Sequence, residues 1–383
     1  MILQAQFLER FDQIPFKQWQ QLNSSLCPFL KYDFFKALEQ SNSACIASGW
    51  QPHHLMLSHE NEINAIVPMY LKSHSWGEYV FDWDWARAFE QHGIEYYPKL
   101  VATLPFTPVT SDKLLSKNVT HQALFQLLTQ YCQQQNINSW HLLYCPEISL
   151  EEIVSEVGSE LANDIYQRNT VQFHWFNRDY KSFDDYLTTF TARKRKNTLK
   201  ERASIAKQGL NVRRVLGANI SDKELEFFYL TYQLTYLKRG HQPHLSFAFF
   251  QQVFTTMANN ILLVIASQQT EDVACALFFF DETNLYGRYW GSEQFFNHLH
   301  FELCYYQGIE FCIENNLQCF NPGTQGEHKI QRGFEPVLTH SYHWIKHAAF
   351  RPSVKDFCLR EQQYMKAYQH QCRQGLPFKT ITN

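Results

Sequence analysis

The sequence predicts an α+β protein made of two tandem domains, each a mostly antiparallel mixed sheet flanked by helices. Three observations carry this expectation. The chain has 383 residues, against roughly 150 residues per domain. A set of three strand-like segments, then a helix, then one more strand, occurs twice in the same order. The most polar stretch of the chain separates the two copies, and a boundary near Asp179–Lys181 gives domains of residues 1–179 and 180–383. With 32 Phe, 20 Tyr and 9 Trp, the chain can bury a large core, which excludes global disorder.

In the first copy, His54–Leu57, Ile63–Leu71 and Glu78–Trp83 read as strands joined by the polar turns Ser58–Asn61 and Ser75–Gly77. A helix over 121–135 and a strand over Ile137–Tyr144 follow, with a long insertion at about Asp84–Lys117. In the second copy, Ile261–Ser267, Val273–Phe280 and Leu285–Trp290 are the strands. A helix over 300–314 then leads to a strand at Leu317–Phe320.

Between the copies, Ser182-Phe183-Asp184-Asp185 is a capping box that starts a helix. Phe183, Tyr186, Leu187 and Phe190 form its apolar stripe, and the helix is predicted to run from 182 to 208 and stop at Gly209. From Thr191 to Arg214 the chain carries nine basic residues against Glu201 alone. Arg193, Arg195, Lys196, Lys200 and Arg202 are the candidate phosphate patch, suited to tRNA, a nucleotide-bearing carrier or anionic lipid. A solvated helix that only keeps the protein soluble is the competing reading.

Three further segments can carry chemistry. Asn321–Pro336 reads NPGTQGEHKIQRGFEP and leaves a strand end with three glycines, Gly326 among them, so backbone N–H groups can approach an anion. Lys329 and Arg332 supply cations for a donor's phosphate or carboxylate, and Glu327 with His328 is a candidate acid/base pair. On the helix over 300–314, Glu302, Tyr306 and Glu310 form a polar strip opposite the sheet-facing side. Its N-terminal end near His300 is a candidate anion seat. His298, His300 and Glu302 do not share a helix face, so no metal site is expected. Phe81–Trp85, read as extended, puts Asp82 and Asp84 on one side; Asp82 and Glu78 are the rival catalytic pair.

The ten cysteines include no CxxC pair, and MILQAQFLERFDQIPF has no basic region followed by an apolar core. Free thiols in a reducing cytoplasm are expected. Stretches such as Ala274–Phe280 fall short of the ~20 apolar residues that span a bilayer. A net charge of −3 excludes a globally basic nucleic-acid coat but not a local patch. Motifs of the common hydrolases, zincins and nucleotide-binding folds are missing from the sequence.

The chain resembles the FemAB-like family of peptidoglycan biosynthesis and recognition proteins, a branch of the GNAT-type N-acyltransferase superfamily. The resemblance rests on Trp50–Ala86, Tyr96–Thr110, Arg193–Arg202, GRYWG (Gly287–Gly291), His300–Pro336 and Phe350–Ser353. It implies two GNAT-like domains and transfer of an acyl or aminoacyl group from a thioester or tRNA ester to an amine. The acceptor is then an amine such as a muropeptide precursor. Neither strand triplet is followed by an Arg/Gln-x-x-Gly-x-Gly/Ala loop. Aminoacyl-tRNA or another phosphate-rich donor therefore stands beside acyl-CoA as co-substrate, with no permanently bound cofactor. Arg288 and Tyr289 are expected in the wall of a cleft between the halves, beside the loop of Lys329 and Arg332. A non-catalytic module that recognises a cell-wall precursor or RNA is the alternative.

Overall fold

The computed structural model describes residues 3–60, 62–148, 159–324 and 326–379. The chain divides into two compact units. Unit 1 comprises Met1–Ser25, Phe29–Val171 and Leu338–Ala367; unit 2 comprises Leu26–Pro28, Gln172–Val337 and Tyr368–Asn383. A single cut at 179/180 does not reproduce these units, because two strands and the last helix each contribute to both.

Unit 1 opens with β1 (Gln4–Leu8), α1 (Phe16–Leu22) and α2 (Tyr32–Gln40). The strands β2 (Trp50–Pro52) and β3 (His54–His59) pair with β5 (Met69–Lys72) and β4 (Glu62–Val67) respectively. They form one long hairpin broken at Pro68, whose missing N–H ends the ladder. Its outer half, β3–β4, joins β1 and β7 (Leu115–Ser116) in a four-stranded sheet. Its inner half continues through β6 (Lys99–Ala102), antiparallel to β5, and β8 (Ser139–Cys145), parallel to β6. Between β5 and β6 lies α3 (Trp83–Gln91), and α4 (His121–Gln134) connects β7 to β8.

The third strand of the first copy is therefore β6, not Glu78–Trp83. Asp82 caps α3 at φ −118° and ψ 23°, so Phe81–Trp85 is not extended and Asp82 and Asp84 share no strand face. Asp82 is buried and Asp84 exposed. The segment expected as an insertion, about Asp84–Lys117, thus contains the third strand.

After α5 (Ser159–Asn163), β9 (Ile165–Phe176) carries the chain into unit 2. The predicted long helix is two helices there, α6 (Phe183–Thr188) and α7 (Ala192–Lys207). The break has a distant cause. Phe190 bridges to Phe378, the Thr191 N–H donates to the Pro377 carbonyl at 2.9 Å, and the Lys379 N–H donates to that of Thr189 at 2.8 Å. Backbone groups used in this way cannot continue a helix.

The sheet of unit 2 runs β10 (Leu210–Leu216), β11 (Ile261–Gln268), β12 (Glu271–Phe280), β13 (Asn284–Ser292), β14 (Cys319–Asn321) and β9. Helices α8 (Asp222–Leu237) and α9 (Phe247–Thr256) connect β10 to β11. Residues Ile261–Ala266 of β11 are all buried, an apolar run typical of a strand covered on both faces. Burying each large apolar side chain stabilises the fold by ~1.5–3 kcal/mol.

The connection from β13 to β14 is α10, which begins at Leu299–Phe301, passes through a π turn at Glu302–Tyr306 and continues over Gln307–Glu314. A six-residue 3-10 turn, Glu327–Arg332, leads into β15 (Glu335–Ile345), which pairs with β8 in unit 1, and α11 (Arg351–Gln374) closes the chain. Among the described residues, no helix is long and apolar enough to cross a membrane.

Candidate functional site

The splay of β13 from β14 lies beside a cluster of titratable side chains in unit 2. The two strands pair in parallel only at Asn284–Tyr286 with Cys319–Asn321. Beyond that point β13 continues to Ser292, while β14 gives way to the loop that starts at Pro322. Gly287 sits where they part; a Cβ there would lie 3.2 Å from the Pro322 Cα. The register of β12 with β13 skips Arg288, since Leu277 faces Tyr289 and Phe278 faces Gly287. Arg288 is thus the extra residue of a β-bulge, a device that re-aims a side chain beside functional sites. The π turn of α10 is another local irregularity common at such sites.

Lys329 is 1% exposed. Its Nζ donates to the carbonyls of Gly323 at 2.8 Å and Thr324 at 2.9 Å. Burial pulls its pKa down to about 7, with only a small opposing effect from Cys304. Three imidazoles surround this corner. Burial lowers His174 and His300 to about 4, and Lys329 pushes in the same direction. Burial, then Lys329 and Arg332, lowers His328, whose Nε2 lies 2.8 Å from the Tyr305 hydroxyl. All three are held toward the neutral form.

Other residues expected here have different roles. Arg332 is not an open cation. Its guanidinium donates to both Glu201 oxygens at 2.8 Å and to the His328 carbonyl at 2.7 Å, and it stacks 3.5 Å from the centre of the Phe301 ring. Glu327 is exposed and accepts from the Tyr368 hydroxyl at 2.6 Å, so Glu327 and His328 engage different partners. The polar strip of α10 does not face solvent. Glu302 and Tyr306 are buried, because Arg202 on α7 donates to Glu302 at 2.9 Å and to Glu310 at 2.5 Å.

Arg202 therefore leaves the phosphate patch. It is the inner half of a helix–helix ion pair that also stacks on Phe183. Arg213 and Arg214 are likewise paired, with Asp272 and Glu224 and with Glu310 and Glu314. Arg193, Arg195, Lys196 and Lys200 remain exposed on α7. His300 is half-buried and packs against Trp290 and Tyr305. His298, in the left-handed region at φ 63°, precedes the helix.

The turn itself is held by shape. Gly326 and Gly333 bound it, both at positive φ, and a Cβ on Gly333 (φ +83°) would fall on the Tyr186 hydroxyl. Gly333→Ala is expected to lower stability by ~1–3 kcal/mol, measured as a drop in Tm. Gly323→Ala, at φ +88° but with no neighbour nearer than 3.4 Å, should cost less.

Unit 1 holds a separate buried polar cluster. Lys99 Nζ donates to Asp82 at 2.5 Å, Glu78 at 2.7 Å and the Ser75 hydroxyl at 2.8 Å. The Tyr96 hydroxyl donates to Asp82 at 2.6 Å. The two carboxylates shift in opposite directions. Burial raises Glu78 to about 7, only partly offset by Lys99. Burial raises Asp82 as well, but Lys99 and then His141 overcome it and hold Asp82 below the usual carboxylate range. Asp82 Oδ2 accepts from two donors, Lys99 and Tyr96, whereas Glu78 Oε2 accepts from Lys99; the other oxygen of each carboxylate has no hydrogen-bond partner among the described residues. Beside them the His141 and His343 Nδ1 atoms lie 2.6 Å apart.

Sequence reasoning missed Glu201, His174, Tyr305, Lys72, Lys99 and the His141–His343 pair. For the inward pairing of Arg202 a signal existed: an acidic strip on one helix and a basic helix elsewhere are complementary. Among the described residues no group of three His, Cys, Asp or Glu could hold a metal ion.

A family profile described as peptidoglycan biosynthesis/recognition, FemAB_like, matches residues 10–380. The chain belongs to the FemAB-like family. No curated protein matches its sequence. Among solved structures, FemX is similar at 11% identity and a TM-score of 0.48, covering 83% of this FemAB-like chain and 93% of that one. L-PGS from Bacillus licheniformis is similar at 11% identity and a TM-score of 0.48, covering 86% and 95%. A tandem GNAT protein from the clavulanic acid biosynthesis pathway is similar at 9% identity and a TM-score of 0.45, covering 90% and 98%.

Proposed function

We propose that this FemAB-like protein is an N-acyltransferase that moves an acyl or aminoacyl group from an activated ester or thioester to an amine, with Lys329 as the proton acceptor. The observation that carries the proposal is the setting of Lys329: a buried amine whose recorded hydrogen bonds go to two carbonyls. A neutral amine has two N–H bonds. With both given to carbonyls, its lone pair is left to receive a proton from the attacking amine. A pKa of about 7 keeps a substantial neutral fraction at neutral pH. An ordinary lysine, near 10.4, would be almost wholly charged.

The remaining parts fit acyl transfer. Arg288, at the bulge, and Tyr289 flank the splay as candidate donor-binding residues. The exposed cations Arg193, Arg195, Lys196 and Lys200 on α7 suit a phosphate-rich donor such as aminoacyl-tRNA or CoA. The family description supports an acceptor from peptidoglycan synthesis, such as a muropeptide precursor.

The test pairs donors, acyl-CoA thioesters and aminoacyl-tRNAs, with amine acceptors that include UDP-linked muropeptides, and follows product by mass spectrometry. A donor should also raise Tm by mass action. Transfer from one donor class, abolished by loss of Lys329, is the expected result. Binding of a muropeptide with no transfer from any donor would favour the recognition-module reading instead.

A further inference from the structure

We propose that Glu201 is a positioning residue for Lys329, acting through the Arg332 guanidinium and not by touching substrate. The inference rests on the reading of Lys329 given above. Lys329 sits in a 3-10 turn of six residues, and such turns have poor internal hydrogen-bond geometry. Its orientation must be fixed from outside the turn.

The fixing contacts form a short chain. The Glu201 carboxylate accepts two hydrogen bonds from Arg332 Nη2 and one from the Tyr306 hydroxyl. Arg332 Nη1 donates to the carbonyl of His328, the residue before Lys329. The Tyr186 hydroxyl donates to the carbonyl of Arg332 itself at 2.8 Å. Both ends of the His328–Arg332 segment are thus pinned, one of them only as long as the guanidinium is held.

Glu201 holds it by one end: Nη2 alone reaches both carboxylate oxygens, a charge-assisted contact, which leaves Nη1 for the His328 carbonyl. Arg332 is 7% exposed, so without the carboxylate its charge would stay buried without an ionic partner, a state that the turn relieves by moving outward. Glu201 belongs to α7, between Lys200, exposed, and Arg202, turned inward. The helix that presents the exposed cations is therefore the one that braces the Lys329 turn.

The experiment is an NMR titration of the full chain carrying 13Cε-lysine, with the Lys329 signal assigned by its loss in Lys329→Met. Wild type, Glu201→Gln, Glu201→Ala and Tyr306→Phe are compared, each checked by circular dichroism melting. In wild type Lys329 should titrate near neutrality. In both Glu201 variants the midpoint should rise by ~1 pH unit or more, because a loosened turn admits water to the amine. Tyr306→Phe keeps the Glu201–Arg332 pair and should leave the midpoint in place.

A fall in the Glu201 variants would mean that the carboxylate acts only through its charge, and an unchanged midpoint would mean that it does not act on Lys329. Either overturns the proposal. If Glu201→Ala does not fold, Glu201→Gln, nearly isosteric, decides. A wild-type midpoint near 10 would count against Lys329 as the proton acceptor and with it against the brace, whereas a wild-type midpoint near 7 that the Glu201 variants do not raise overturns the brace alone.

Discussion

Lys329→Met is expected to lower transfer activity by ~10²–10⁴-fold, the range of a lost general base. The loss should fall mainly on kcat, because methionine fills nearly the same space as far as Cε and lacks the terminal nitrogen that takes the proton. Lys329→Arg should not rescue it, since a guanidinium does not give up its proton in this pH range. The pH dependence has a definite sign. Burial has lowered the pKa of Lys329 to about 7, and the working form is the neutral amine. Activity should therefore rise as pH passes upward through about 7 and fade below it. The measurement is initial rate against pH for wild type and both variants. Retention of most activity in Lys329→Met would move the proton acceptor elsewhere. His328, hydrogen-bonded to Tyr305 and held toward its neutral form, would then be the next residue to replace.

The second-half fold was legible because its signals are local. The strands β11, β12 and β13 match the expected segments to within a few residues, since each is a long apolar run bounded by a polar turn. The Ser182 capping box correctly starts α6, with the Ser182 hydroxyl accepting from the Asp185 N–H. What failed depends on distant partners. The gap between α6 and α7 is set by residues 377–379, and nothing near Thr191 announces it. The third strand of unit 1 was misplaced because Glu78–Trp83 alternates like a strand, while the true strand is four residues long and begins with a charge, Lys99. That charge is explained only by Glu78 and Asp82, which the intervening chain brings back to it.

The candidate site shows the same division. Lys329, Arg332, His328 and Glu327 were found together because they are neighbours in sequence. Their roles were not, since role follows from what each side chain meets. Arg332 meets Glu201, more than a hundred residues away, and becomes a brace. Lys329 is buried, and the burial lowers its pKa.

Lys99→Met should destabilise unit 1 by ~3–5 kcal/mol at neutral pH, the usual result of deleting one member of a buried ion cluster. Lys99 is fully buried and is the donor to both Glu78 and Asp82. Methionine fills much the same space, so the cost is electrostatic and not a cavity. Asp82 would keep the Tyr96 hydroxyl, but Glu78 would face only Lys72, 4.0 Å away. Lys72 is a weak partner, because burial has already lowered its pKa to about 7. Without Lys99 both carboxylates have folded pKa values above their unfolded ones. The folded state then binds more protons than the unfolded state, so stability falls as pH rises and the deficit narrows toward pH 5. The triple variant Lys99→Met, Glu78→Gln, Asp82→Asn removes the charges together and should recover much of the loss. Urea midpoints at pH 5 and pH 8 for the three proteins read this directly. A Lys99→Met deficit that did not depend on pH, or that the triple variant failed to relieve, would show that the lysine contributes by packing and not by charge.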